Sequence, residues 1–159
     1  MPVNEDNNVD AMTSWNDFST AAPDFAEEVR SLFSEHKHHT MATVRRDGAP
    51  RISGTEVEFE NGELCLGMMP GTRRAADLGR DPRLALHSHS VDPPEQDPGS
   101  WCGEAKINGR GVALSSEAGG PDRFRVEIID VTLTRVGTPA DHLLITTWEP
   151  STGVVARRR

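Results

Sequence analysis

The chain has no tyrosine, only two cysteines and few aromatic residues (5%) among its 159 positions. Cys65 and Cys102 stand far apart and alone, so no disulfide framework is expected. No apolar run approaches the roughly 20 residues that a membrane-spanning helix needs. Residues 1–13 lack both a basic start and an apolar core, which excludes a secretory signal there and makes a cytoplasmic location the expectation. Cations are the scarcer charge: 17 Lys and Arg against 25 Asp and Glu, a net charge of −8. That balance argues against general affinity for nucleic acid, and an anionic ligand would need a local cluster of arginines. Also missing are a Gly-x-Ser-x-Gly elbow, a phosphate-binding Walker loop, zinc-ligand spacing and a dinucleotide fingerprint.

What is present fits one domain. Residues 1–13, rich in Asn and Asp, read as a disordered tail, 14–150 as the folded domain and 151–159 as a C-terminal tail. Phe25, Val29, Leu32 and Phe33 recur at helical spacing, predicting a helix over Asp24 to Glu35. The histidines after it, His36, His38 and His39, suit a helix C-terminus, where the dipole favours cations. The period then becomes alternating. Strands are expected at Thr40 to Arg45, Pro50 to Phe59 and Leu64 to Met68, joined by turns at Asp47-Gly48 and Asn61-Gly62 as a meander. A short helix from Thr72 to Leu78 follows, and then a strand from Leu84 to His89. After the proline-rich loop of Asp92 to Ser100, three more strand-like stretches run over Cys102 to Leu114, Phe124 to Val136 and His142 to Trp148. Seven strand stretches and two helices imply a closed or nearly closed antiparallel barrel.

The most informative chemistry lies in Gly71-Thr72-Arg73-Arg74-Ala75-Ala76-Asp77-Leu78. A helix opening with a hydroxyl and two arginines combines free N–H groups, a positive dipole end and two guanidiniums, which is what a phosphate dianion needs. A plain surface helix with solvated arginines fits the octapeptide equally well. Arg51, at the start of the second strand, either reaches the same anion or serves as an edge-strand charge that discourages aggregation. His87 and His89 could ligate a metal or haem from one strand face, but no third ligand is near in sequence, and no metal site is expected. Trp101 is placed either to anchor its loop or, as a flat aromatic, to cover a ligand ring.

His39 through Arg51 (His-Thr-Met-Ala-Thr-Val-Arg-Arg-Asp-Gly-Ala-Pro-Arg) resembles the opening strands of the pyridoxamine 5'-phosphate oxidase-related split-barrel family. So do Gly71 through Leu78 and Asp81 through Leu86. The resemblance implies a mainly β fold: a six- to seven-stranded antiparallel split β-barrel with two or more short helices. It also implies a homodimer with a flavin-type cofactor between the subunits. Arg51, Thr72, Arg73 and Arg74 would match the family's phosphate cradle, with arginine at position 74 where the family carries lysine. The backbone of the second and third strands, at Ile52, Ser53, Gly67 and Met68, would line the flavin ring. Trp148 and Arg158 stand at the spacing of a family pair that approaches the flavin from the partner subunit.

Departures from the oxidases matter as much. Their C-terminal Arg-Leu-His substrate motif has no counterpart in Gly153-Val154-Val155-Ala156. Thr55 and Glu56 stand where a lysine is expected, and the tyrosine before the cradle is absent. Vitamin B6 oxidation is therefore not the expectation. The reading is an FMN-dependent oxidoreductase acting on a small molecule, with an F420-dependent reductase or a non-catalytic flavin-, deazaflavin- or haem-binding protein as alternatives. No side chain is assigned as a catalytic acid or base.

Overall fold

The computed structural model describes residues 12–159. Ser14 and Asp17 cap each other reciprocally and start α1 (Trp15–Ala21), which buries Trp15 and Phe18. Helix α2 (Pro23–Ser34) begins one residue later, with Pro23 in the first turn, where its missing N–H leaves no bond unmade. Its buried face is Phe25, Val29, Leu32 and Phe33, as the spacing predicts. Thr13, expected in the tail, instead exchanges two backbone bonds with Ile128 (3.0 and 2.7 Å). The rest of that tail up to residue 11 lies outside the described residues.

The strands are β1 (His39–Val44), β2 (Pro50–Thr55), β3 (Val57–Glu60), β4 (Glu63–Met68), β5 (Arg83–His87), β6 (Glu104–Leu114), β7 (Asp122–Val136), β8 (Leu143–Glu149) and β9 (Gly153–Arg158), with α3 (Arg73–Arg80) between β4 and β5. Across the sheet the order is β2-β1-β5-β6-β7-β4-β3, and β8 and β9 extend from β7. The two ends of that path, β2 and β3, are consecutive in sequence and separated by Glu56 alone. The sheet curls until both edges belong to one bent strand, which closes the barrel through the covalent chain.

The split arises at β7. One edge of this long strand pairs with β6, while its other edge is shared: Asp122–Arg125 pair with β4, and Val131–Val136 with β8. A register shift at Asn108/Gly109 marks the hand-over, and such bulges sharpen strand twist. A Cβ on Gly109 would collide with the Glu127 carbonyl, so only glycine permits this approach.

The fold is the expected antiparallel split barrel, with nine strands and three α-helices among the described residues. The two additional strands have simple origins. Pro50 to Phe59, read as one strand, bends at Glu56 into β2 and β3, and the expected C-terminal tail contains β9, which pairs with β8. Asn61 and Gly62, both at positive φ (51° and 78°), make the β3–β4 turn as their sequence predicts.

Met41, Leu64, Leu66, Leu86, Ile107 and Val126 are buried within the sheet's core. The helices add an aromatic cluster centred on Phe18, which is 0% exposed; its ring lies 5.2 Å from Trp15, 5.9 Å from Phe25 and 4.7 Å from Trp148. If α1 is part of this core, Phe18→Ala should destabilise the protein by about 3–5 kcal/mol. Urea unfolding followed by tryptophan fluorescence measures it; a loss below about 1 kcal/mol would mean that α1 merely rests on the barrel.

Candidate functional site

Helix α3 starts from Thr72, whose hydroxyl accepts from the Ala75 N–H at 3.3 Å. Its central side chain, Asp77, is 3% exposed and turned toward the barrel. The carboxylate accepts from Arg51 Nε on β2 (2.6 Å), Thr43 Oγ1 on β1 (2.9 Å) and Arg80 Nη2 on the next helical turn (3.0 Å). The Arg51 bond, supported by those from Arg80 and Thr43, holds the carboxyl down to about 2 against the opposing effect of burial. Arg51 therefore braces the fold whatever else it binds.

Two clefts flank α3. On one side Arg73, Ala76, Asp77 and Arg80 form a helical stripe facing Arg51 and the β1–β2 hairpin residues Arg45 and Arg46, across a cavity of about 520 Å³. On the other side Arg74 overlooks a larger groove of about 740 Å³, floored by Gly54 and Thr55 of β2 and by Gly67 and Met68 of β4. Arg74 donates through Nη1 to the Gly54 carbonyl, while its Nε is buried without a partner. Gly54 and Gly67 have no atom near the position of a Cβ, so a side chain at either would project into open space. The loop between β4 and α3 is tied down by the Gly71 N–H on Asp122 Oδ2 at 3.1 Å.

The residues expected to form one cradle are thus divided. Arg74, Gly67 and Met68 share the groove; Arg51 and Arg73 face the other cleft. Ile52 points its side chain outward and is 76% exposed, whereas Ser53 on the opposite strand face is half-buried. Trp148 is 3% exposed and packed on Phe18 of its own chain, so α1 covers the ring that was expected to reach a partner's flavin. Arg158 sits on β9 and pairs with Asp141 at 3.1 Å.

The histidines part company as well. His87 lies 3.5 Å from Glu104, and beyond the strand end the His89 N–H donates to His39 Nδ1 (3.1 Å) while its ring faces His36 at 4.1 Å. His39 is buried, and desolvation lowers its pKa. Among the described residues no three His, Cys, Asp or Glu side chains are grouped to hold a metal. Trp101 anchors its loop through Nε1 to the Val91 carbonyl (2.6 Å). Cys65 is buried, Cys102 is exposed, and both are free. No helix among the described residues is long and apolar enough to cross a membrane.

Asp77 makes the fold acid-sensitive in a definite direction. Its folded value lies below the ordinary one, so its contribution is complete above about pH 4 and is lost as pH falls through about 2. The linked stability is about 2 kcal/mol. Asp77→Asn should be less stable than wild type at about pH 5, and its stability should fall less toward about pH 2.5. Urea unfolding at both pH values tests this, and parallel losses in the two proteins would remove Asp77 as the titrating group.

Comparison with known proteins fits this architecture. No curated protein matches the sequence. Among solved structures, a pyridoxamine 5'-phosphate oxidase-related, FMN-binding protein from Nostoc punctiforme superposes with a TM-score of 0.62 at 9% identity, over 87% of this chain and 95% of that one. A Clostridium acetobutylicum protein related to general stress protein 26 of B. subtilis (pyridoxinephosphate oxidase family) gives 0.60 at 13% identity, over 80% and 96%. An F420 reductase gives 0.50 at 12% identity, over 64% and 94%. At such identities these likenesses speak for the fold. The family model for pyridoxamine 5'-phosphate oxidase matches residues 25–136, most of the barrel, and the chain belongs to that family.

Proposed function

We propose that the protein is a flavin-dependent oxidoreductase that holds FMN in the groove beside Arg74. The observation that carries this reading is the unpartnered, buried Nε of Arg74 at the open end of α3. A buried donor without an acceptor is costly, and a phosphate oxygen would satisfy it. Thr72 takes up the N–H groups of Ala75 and Ala76, and the helix has no partner of its own for those of Arg73 and Arg74, which can add to the same anion. Gly54 and Gly67 leave the groove floor open to a flat ring. The flavin would supply the hydride chemistry, and the chain would supply position and electrostatics. Within the groove, Glu56 pairs with Lys37 at 3.6 Å, and Arg123 is shared between Glu58 at 3.8 Å and Glu60 at 2.7 Å, which lessens the repulsion of a phosphate by these carboxylates. A deazaflavin presents a phosphate too, which keeps F420 as the alternative cofactor.

The same reading makes the protein a homodimer joined through the outer face of β2, β1 and β5. Ile52, Ala42 and Ala85 lie side by side there, and the large exposed apolar side chain of Ile52 is flanked by small ones. Light scattering at micromolar concentration should give a dimer mass for wild type and a monomer mass for Ile52→Glu. A monomeric wild type, with and without cofactor, would remove the dimer.

Fluorescence titration of FMN and of F420 tests the site. Arg74→Ala should weaken binding of the true cofactor about ten- to a hundredfold, equivalent to about 1.5–3 kcal/mol. Arg74→Lys should be milder, since it retains the charge while losing the fork. Unchanged affinity for both cofactors in Arg74→Ala would mean that the groove is not the phosphate site.

A further inference from the structure

We propose that His39 is an acid-sensitive latch. With a neutral ring it holds the connection between β5 and β6, residues 89–103, against the start of β1, and on taking a proton it lets that connection go. The latch uses none of the residues assigned to the flavin, and it stands or falls apart from that reading.

His39 opens β1 and is 4% exposed, with its ring 5.0 Å from that of Phe33 on α2. Its Nδ1 accepts the N–H of His89, the second residue past β5, at 3.1 Å. A ring nitrogen that accepts carries no proton, so the neutral ring holds its single proton on Nε2. Nε2 is itself buried and has no hydrogen-bond partner. A second proton can enter only at Nδ1, where it would set two N–H groups against each other. Protonation of His39 and attachment of His89 are therefore mutually exclusive.

The surroundings hold the ring neutral. Burial disfavours the charged form most, charge on His36 or His89 opposes it further, and the carbonyls of Phe33 and His36 favour it. The balance lowers the pKa below its ordinary 6.5. No carboxylate among the described residues lies close enough to pair with His39. The neighbouring acids are engaged elsewhere: Glu56 with Lys37 (3.6 Å) and His38 (3.5 Å), and Glu104 with His87 (3.5 Å) and Lys106 (3.3 Å). Glu35, at the end of α2, is exposed. A lowered folded value means that the released state binds the proton more readily. Attachment is thus complete above about pH 7 and is lost as pH falls below 6.5.

The connection is rooted at buried Ser88, whose N–H donates to the Ala105 carbonyl and whose Oγ accepts the Ala105 N–H, both at 2.9 Å. Beyond that root it braces itself, through Trp101 Nε1 to the Val91 carbonyl (2.6 Å) and Ser100 Oγ to the Asp97 carbonyl (2.8 Å). His39 reaches it from a different strand. The exposed rings of His36 and His89 face each other over the same junction at 4.1 Å. Two imidazolium rings so placed would repel, so acid loosens the outer contact as well as the inner bond.

Amide exchange of His89 in the full-length protein, followed by NMR at about pH 7.5 and about pH 5.5 and corrected for the intrinsic pH dependence of exchange, tests the latch. Wild type should lose protection at least about tenfold at the lower pH, the factor expected for one hydrogen bond. His39→Asn keeps an acceptor that cannot titrate, and should stay protected at both pH values. His39→Phe keeps the ring's bulk without an acceptor, and should be unprotected at both. His89→Ala retains the backbone N–H and should respond to pH as wild type does. Equal protection of wild type at the two pH values overturns the proposal, and this measurement decides even if a His39 variant does not fold. Protection retained in His39→Phe, or an acid response retained in His39→Asn, overturns it too. Loss of the response in His89→Ala would do the same, since the outer ring pair would then be the sensor.

Discussion

The arrangement around α3 depends on one buried carboxylate. Asp77 joins β1, β2 and the helix through Thr43, Arg51 and Arg80, and three donors around a single anion are what make its burial tolerable. Because α3 is held at its middle, its N-terminal arginines are fixed relative to the barrel on both flanks. Arg74 is set over Gly54, and Arg73 over the hairpin of β1 and β2. A looser helix would let both guanidiniums swing into solvent, and neither cleft would keep its charge.

Electrostatics in this molecule is a matter of where charge is compensated. Several carboxylates are matched locally, Glu60 with Arg123 at 2.7 Å and Glu127 with Arg125 at 2.9 Å among them. Along one stripe of α3 and the facing hairpin, five arginines gather against two carboxylates. The overall field would repel an anion at long range, so recognition must rest on short-range bonds, within about a Debye length of 8–10 Å.

Much of the barrel was legible because its signals are local. Asn61-Gly62 specifies a tight turn, the alternation around it specifies strands, and Phe25, Val29, Leu32 and Phe33 specify a helix face. Helix α1 was missed although Ser14 and Asp17 bracket it as a capping box and Trp15 and Phe18 stand three residues apart; its seven residues are too short to generate a clear period. β9 was missed because Gly153 to Arg158 ends in arginines and looks like a solvated terminus, yet its backbone completes a hairpin with β8. At the site, motif resemblance located α3 correctly but could not tell that Arg73 and Arg74 diverge. Nor could it reveal the pairing of Arg51 with Asp77, a contact across 26 positions of sequence. Trp148 illustrates the same limit, since its burial follows from a helix more than a hundred residues upstream.

The closure at Glu56 has a further implication for how this barrel can be altered. In most barrels the last seam is a row of hydrogen bonds between two strands, and breathing can open it. Here the seam is the polypeptide itself, bent between Thr55 and Val57. Nicking the chain or placing new termini at that bend would turn a closed wall into a sheet with two raw margins, both available to other chains. The exposed stretch around Glu117, which no strand crosses, is where the backbone could instead be interrupted. Topology thus divides the surface into positions where the chain is merely a connector and one short bend where it is the wall.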